Sequence, residues 1–229
     1  MTNSFQKKLG VVLGVPSDGM WCEKFGTSLV GLMTHFMRVP VRGYRTQELR
    51  LCSVVGSILP RQRRDCVVMT LNLDYSHLCF IDSDQTFPPN LLHRLLEREV
   101  DVVGCNIAIK RIPSAPTARG FDRQPVYTDS DSPPMEKVWS FGCGVVLLRR
   151  RVLERIGLKC FEMKWVDAIN DYSGEDWAMF DAIRQAGFDL WVDHALSDEV
   201  GHVGNFVYTH DVVGTIVNAD LKKEEAVVG

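Results

Sequence analysis

Two stretches of the sequence carry the same Asp-Ser-Asp motif. "CFIDSDQTFPP" contains Asp82 and Asp84, and "YTDSDSPP" contains Asp129 and Asp131. Two carboxylates at this spacing can hold a divalent cation. A motif this short arises by chance in a chain of ordinary length, so its surroundings have to separate the two copies.

The first copy follows the apolar run "HLCFI", which predicts a buried strand. In open α/β sheets, ligands bind in the crevice outside the carboxyl ends of the strands. Residues at positions i and i+2 point the same way, so Asp82 and Asp84 would converge on one volume and repel. A divalent cation relieves that repulsion, and Mg²⁺ or Mn²⁺ takes oxygen ligands from carboxylates and phosphates. The first copy therefore predicts a site for a metal and a diphosphate.

The second copy lies in a stretch rich in serine and proline, residues 113–135, which predicts a long irregular loop. Aspartate in such loops mostly serves turn geometry. We expect Asp129 and Asp131 to be solvated loop residues.

The elements that must position these residues alternate between apolar runs and helical periodicity. The predicted strands are 8–17, 41–46, 77–81, 101–109, 137–149 and 189–193, with 195–204 as a strand or extended loop. The predicted helices are 21–39, 60–74, 88–99, 150–157 and 175–188. This alternation predicts an α/β fold with a central, mostly parallel sheet flanked by helices.

The whole chain has the composition of a globular protein. Its 229 residues are 45% hydrophobic, and its net charge of -3 gives no general attraction to nucleic acid. The seven cysteines have no CxxC spacing, so we expect neither a disulfide framework nor a zinc site. Unpaired cysteines in this number are typical of a protein in a reducing compartment. The N-terminus does not read as a signal peptide, and no apolar stretch reaches the length of a membrane span. We expect a soluble, cytoplasmic protein.

Two known families carry an apolar strand followed by Asp-x-Asp. "CFIDSDQT" is similar to the haloacid dehalogenase-like phosphatase motif, which would make Asp82 a nucleophile. It is also similar to the element that holds the metal and the nucleotide-sugar diphosphate in GT-A-type glycosyltransferases.

Five segments, in order, favour the second family. They are "FIDSDQTFPPNLLHRLLE", "DVVGCNIAIKR", "FGCGVVLLRRRVLERIG", "GEDWAMFDAIRQAGFDLWVD" and "GHVG". Over about residues 76 to 204, this series resembles the small family 2-like glycosyltransferases. The resemblance implies one GT-A (Rossmann-like) catalytic domain over 1–229. Its nucleotide-binding half would be about 9–84, its acceptor and catalytic half about 85–210, and 219–229 a polar tail.

The resemblance also assigns roles at the metal and at the reacting groups. Asp84 and His202 would hold Mn²⁺ or Mg²⁺, with Asp82 contacting the ribose or a metal-bound water. Asp176 would be the catalytic base that takes the proton of an acceptor hydroxyl, and Glu175 would orient that acceptor. The alternative for this acidic pair is the ordinary preference of acidic residues for a helix N-terminus.

The remaining expected contacts belong to the nucleotide and the sugars. The resemblance assigns nucleotide binding to Pro16, Ser17, Asp18, Arg64, Asp82, Ser83 and Asp84. It assigns the donor sugar or acceptor to Gly142 and Gly144, with close packing as the alternative, and to Trp139 and Trp177, with core packing as the alternative. UDP is the commonest nucleotide in the family. The acceptor stays open among glycan, protein, small molecule and modified DNA base, as does a relative that binds nucleotide or glycan without turnover.

Overall fold

The computed structural model of the chain describes residues 7–168, 170–204 and 207–213. Its strands are β1 (Lys7–Ser17), β2 (Tyr44–Val55), β3 (His77–Ile81), β4 (Gln85–Thr86), β5 (Val102–Gly104), β6 (Met135–Val138), β7 (Val145–Arg149), β8 (Trp165–Val166), β9 (Asp171–Tyr172), β10 (Leu190–Asp193), β11 (Gly201–Val203) and β12 (Val207–Tyr208). Its helices are α1 (Glu23–Arg38), α2 (Leu59–Asn72), α3 (Leu91–Glu97), α4 (Arg150–Ile156), α5 (Glu175–Gln185) and α6 (His194–Ser197), followed by a 3₁₀ turn at His210–Val212.

Seven strands form the central sheet in the order β2-β1-β3-β7-β5-β10-β6. Strands β2, β1, β3, β5 and β10 run in one direction, and β7 and β6 run in the other. The carboxyl ends of the five co-directional strands therefore lie along one edge of the sheet. This architecture confirms the predicted α/β class with a mostly parallel sheet.

Helices cover both faces of this sheet. On one face, α1 packs its apolar stripe, including Phe25, Leu32 and Phe36, against side chains of β1 and β3. On the other face, side chains of α2, α4 and α5 form a second core around Phe80 and Val146. The central strands β1, β3 and β7 are apolar without alternation because both of their faces are buried.

The second strand differs from its prediction at 41–46. Strand β2 begins at Tyr44 and continues to Val55, because it pairs in parallel with β1 from Lys7 to Ser17. Its own side chains alternate only loosely between buried and exposed. The length of β2 is therefore set by its pairing with the long strand β1. The local pattern of apolar and polar residues in β2 does not set it.

Three further strand predictions need correction. The predicted strand 137–149 is two strands, since β6 pairs with β10 whereas β7 lies between β3 and β5. The predicted strand 101–109 is reduced to Val102–Gly104. The segment 195–204 lies partly in helix α6, where the Asp193 carboxylate accepts a hydrogen bond from Leu196 N at 3.0 Å, and only then enters β11.

Residues 113–134 form the expected irregular loop, with isolated bridges but no helix or longer strand. The predicted polar tail 219–229 lies outside the described residues. No helix in the described ranges is long and apolar enough to cross a membrane. All seven cysteines are unpaired, and six of them are buried.

Candidate functional site

The two Asp-Ser-Asp copies have different settings. Asp82 and Asp84 follow the last residue of β3, at the edge where the parallel strands end. Asp82 N donates to Gly144 O at 3.0 Å, which fixes the backbone of this turn. Asp129 and Asp131 are exposed, and the Asp129 carboxylate accepts a hydrogen bond from Asp131 N at 2.9 Å. The second copy is thus a solvated turn, as predicted.

A buried arginine joins the first copy to the second acidic motif. The side chain of Arg63, on α2, is 2% exposed. Its Nη2 donates to the two Asp82 carboxylate oxygens at 3.0 and 3.3 Å, and its Nε donates to Glu175 Oε1 at 3.3 Å. One guanidinium therefore connects the end of β3 with the first turn of α5.

Burial and charge act in opposite directions within this cluster. Burial would lower the pKa of Arg63, but the neighbouring acidic groups, Asp82 foremost, raise it, so it remains a cation. Burial raises the pKa of Asp82 against the opposing effect of Arg63. Arg63 Nη1 is buried and has no hydrogen-bond partner among the described residues. One buried donor of the guanidinium is therefore unsatisfied within the described part of the chain.

Asp84 lies beside two basic side chains. Lys110 Nζ is 2.5 Å from Asp84 Oδ2, and His202 Nε2 is 3.4 Å from the same oxygen. Burial would raise the pKa of Asp84, but hydrogen bonds with His202 and Lys110 outweigh it and hold this pKa well below its usual range. His202 reaches this position because β11 pairs with β4, which places it opposite Gln85.

The orientation of the His202 ring fits a cation ligand. Its Nδ1 lies 3.0 Å from the carbonyl oxygen of Ala108, which can only accept, so Nδ1 carries the proton. Nε2 therefore faces the Asp84 carboxylate, and it can either donate a second ring proton to that carboxylate or present a lone pair to a cation. Two facing acceptors require a proton or a cation between them, and a carbonyl-anchored histidine is the common metal-ligating arrangement.

The predicted metal set of Asp82, Asp84 and His202 does not gather as a unit. No three His, Cys, Asp or Glu side chains in the described ranges converge on a possible metal position. Asp82 is held instead by Arg63. Asp84 and His202 remain as an oxygen–nitrogen pair, which suits Mn²⁺ better than Mg²⁺ because imidazole is a ligand of transition metals.

Asp176 has the protonation behaviour of a tuned acid or base. Burial and the adjacent Glu175 carboxylate raise its pKa from 3.8 to about 6, although Trp177 N donates to its carboxylate at 2.7 Å. Both acidic residues form the first turn of α5, so the helix-terminus preference also holds. A carboxylate with this pKa is ionised at neutral pH and more basic than an ordinary aspartate.

Packing accounts for the glycines of "FGCG". A Cβ at Gly142 would lie 3.1 Å from Thr117 Cγ2, and a Cβ at Gly144 would lie 3.1 Å from Ile107 Cγ1 and 3.2 Å from Gln85 Nε2. These distances are tighter than ordinary van der Waals contact. The close-packing alternative therefore suffices for both positions.

Gly144→Ala is expected to lower the free energy of unfolding by about 1–3 kcal/mol, because the added methyl group overpacks a filled site. Urea denaturation measures the change. Gly26→Ala is the matched control, since a Cβ there meets nothing within 4 Å. Equal stability of the Gly144 variant and the wild type would mean that the neighbouring side chains give way freely.

Most of the expected nucleotide contacts lie at the edge of the sheet where β1 and β3 end, and Arg64 forms its ion pair elsewhere. Pro16 and Ser17 end β1 at the same edge as Asp82, and Asp18 follows in an exposed turn. In the part of the chain that the structure describes, Arg64 forms no hydrogen bond or ion pair with the residues at this edge. Its exposed guanidinium forms an ion pair with the adjacent Asp65 at 2.7 Å. Ser83 is half-buried between the two aspartates.

The two tryptophans differ in what their rings can contact. The guanidinium carbons of Arg123 and Arg184 lie 3.4 and 3.3 Å from the ring centroid of Trp139. Two planar groups this close cannot share one face, so both faces of Trp139 are covered and it cannot stack on a sugar. Trp177 is 49% exposed and keeps that capacity.

Sequence reasoning missed Arg63 and Lys110. The segment "RQRR" contains three arginines, and its composition does not indicate which one faces the core. The helical period would have indicated Arg63, because it lies four residues before Val67 and so on the same apolar face of the predicted helix 60–74. Lys110 lies in an irregular segment, where no periodicity indicates direction.

Comparison with known proteins supports the fold. No family model matches the sequence, and no curated protein matches it. Among solved structures, the crystal structure of A197 from STIV is similar, with a TM-score of 0.56 and 17% identity over 89% of this chain and 91% of that one. At this identity the likeness shows the fold alone, a single Rossmann-like domain.

Proposed function

We propose that this protein is a metal-dependent glycosyltransferase that moves a sugar from a nucleotide diphosphate, UDP as the first choice, to an acceptor hydroxyl. The observation that carries the proposal is the Arg63 bridge. It joins the Asp-Ser-Asp turn to the Glu-Asp turn of α5, with ion pairs of 3.0 Å to Asp82 and 3.3 Å to Glu175. A diphosphate-binding motif and a candidate base thereby belong to one site.

In the proposed reaction, Asp176 accepts the proton of the acceptor hydroxyl. The hydroxyl oxygen forms a bond to the anomeric carbon, while the bond from that carbon to the diphosphate breaks. The nucleoside diphosphate leaves with the bonding electron pair. Glu175, held by Arg63, orients the acceptor or keeps the pKa of Asp176 raised through its charge.

Asp84 and His202 are the side chains that would hold Mn²⁺ in this proposal, with diphosphate oxygens completing its coordination. A bound divalent cation neutralises the charge that develops on the leaving diphosphate. Lys110, 2.5 Å from Asp84, supplies a second positive charge near the same position.

The phosphatase alternative receives less support from the geometry. A nucleophilic Asp82 needs a free carboxylate oxygen directed at a phosphorus atom, and Arg63 Nη2 lies within 3.0 and 3.3 Å of its two oxygens. Metal-dependent cleavage of a generic phosphate ester that Asp82→Asn abolishes would restore this alternative.

A thermal-shift assay with UDP, GDP, CDP and dTDP, each with and without Mn²⁺, tests nucleotide binding. One nucleotide with Mn²⁺ is expected to raise the melting temperature by about 5 to 10 °C at a hundredfold excess over its dissociation constant, which corresponds to about 2.7 kcal/mol. His202→Ala and Asp84→Asn should remove the Mn²⁺-dependent part of the rise.

Asp129→Asn is the matched control, because it changes an aspartate of the exposed Asp-Ser-Asp copy. No rise with any nucleotide would refute the proposed function. A rise without transfer to any acceptor would favour a relative that binds nucleotide without turnover.

A further inference from the structure

A cavity of about 320 Å³ opens against α5, the helix whose first turn holds the proposed catalytic pair. Ser173 and Trp177, which flank Glu175 and Asp176 in the chain, both line it. The outward face of α5 forms one wall, and the segments around residues 159–166 and 139–140 form others. A space of this size lies at the lower end for small-molecule sites and suits one or two sugar rings.

The wall of the cavity carries a surplus of positive charge. Arg123 and Arg184 stack on opposite faces of Trp139, so two like charges lie on one indole ring. Only Arg184 has a carboxylate partner, Asp181 at 2.9 Å, and the other oxygen of Asp181 accepts from Gln185 at 2.6 Å. Arg123 has no ion-pair partner in the described part of the chain.

Two lysines add to this surplus. Lys159 and Lys164 line the same cavity and have no ion pair among the residues that the structure describes, while Glu162 is the one other acidic side chain in the lining. Burial lowers the pKa of Arg184, and Arg123 lowers it further. An anionic group bound here would relieve the repulsion among these cations.

The aromatic and polar lining indicates what carries that anion. Trp177 is half-exposed and offers a ring face, and Ser173 and Gln185 offer hydrogen bonds to hydroxyl groups. A nucleic-acid strand is less suited, because the net charge of -3 gives the chain no general attraction to a polyanion.

We propose that this cavity binds the acceptor and that the acceptor is an acidic saccharide. Its negative charge lies against Arg123, Lys159 and Lys164, and one of its rings stacks on Trp177. This inference rests on the proposed glycosyltransferase function. Glu175 and Asp176 do not line the cavity, so a saccharide stacked on Trp177 has to extend past the first turn of α5 to bring its hydroxyl to Asp176.

Calorimetry on the full chain with UDP and Mn²⁺ tests the inference, together with saturation-transfer NMR in which Mg²⁺ replaces Mn²⁺, because paramagnetic Mn²⁺ broadens the NMR signals. The probes are a glucuronate-containing hyaluronan tetrasaccharide, a phosphorylated oligomannose, neutral maltotetraose and the single strand dT₈. An acidic saccharide is expected to bind at least about tenfold more tightly than maltotetraose, with affinity falling as salt rises. Arg123→Ala with Lys164→Ala should weaken it by about tenfold.

The matched control is Arg45→Ala, which removes an exposed arginine from β2. The two acidic probes show whether a carboxylate or a phosphate is preferred. Equal binding of maltotetraose, tighter binding of dT₈, absence of binding to every saccharide, or unchanged affinity in the double variant would each overturn the inference.

The nucleotide-induced thermal shift separates the two proposals. A shift without saccharide binding refutes the acceptor site and leaves the glycosyltransferase proposal intact. Charge-selective saccharide binding without any nucleotide shift refutes the transferase and leaves the cavity as a saccharide site.

Discussion

Arg63→Met is expected to lower the free energy of unfolding by about 3–5 kcal/mol, the usual effect of removing one partner of a buried ion pair. Methionine fills much of the space of the arginine stem over Phe80, where the guanidinium lies 5.3 Å from the ring centroid. It leaves Asp82 and Glu175 half-buried without their counter-charge. Urea denaturation followed by circular dichroism measures the loss.

Arg64→Met is the matched control, because Arg64 is the next residue on the same helix and is exposed. It should change stability by less than about 0.5 kcal/mol. The Arg63 variant should also recover part of its stability at low pH, because the raised pKa of Asp82 lets this carboxylate take up a proton and lose its unpaired charge. Equal, small effects of both substitutions would show that Arg63 does not hold the two acidic turns together.

Asp176→Asn is expected to reduce sugar transfer by about 10²–10⁴-fold, the usual contribution of a general base. Asparagine keeps the size of the side chain and cannot accept the proton. The nucleotide-induced thermal shift should persist, because Asp176 has no role in diphosphate binding in the proposed site. Single-turnover transfer to the acceptor that the cavity selects measures the loss, with Asp171→Asn as the control at an exposed aspartate.

The pH dependence of wild-type transfer tests the same assignment. With a pKa of about 6, Asp176 is protonated in acid, so kcat/KM should fall as pH drops below about 6. Full activity of the asparagine variant, or a wild-type profile that is flat through pH 6, would remove Asp176 from the role of base.

Ionisation of Asp176 should have opposite effects on activity and on stability: it enables transfer but lowers the free energy of unfolding. The pKa of the folded protein lies above the ordinary value of 3.8, so this group stabilises the fold below about pH 4 and loses that contribution as pH rises through about 6. At pH 8 the asparagine variant should therefore be more stable than the wild type, by on the order of 1–3 kcal/mol. A site that costs stability in this way is typical of function.

The sequence by itself determined the fold class and the separate acidic motifs. Continuous apolar runs such as Val11–Val15 and Leu78–Ile81 predicted strands buried on both faces, and the periodicity of 21–39 predicted α1. These signals are local, because burial on two faces removes polar residues from a strand and a single apolar stripe marks a helix. The placement of Asp82 and Asp84 at a strand end came from the same pattern.

Only the tertiary structure decided which distant residues meet. Strand β11 pairs with β4 and brings His202 to Asp84, while the packing of α2 and α5 into the same core on one face of the sheet brings Arg63 to Glu175. Neither pairing has a local signature, since strand partners and buried ion pairs depend on the whole sheet order. The split of 137–149 into β6 and β7 has the same origin, because each half found a different partner strand and the segment between them turned toward Asp82.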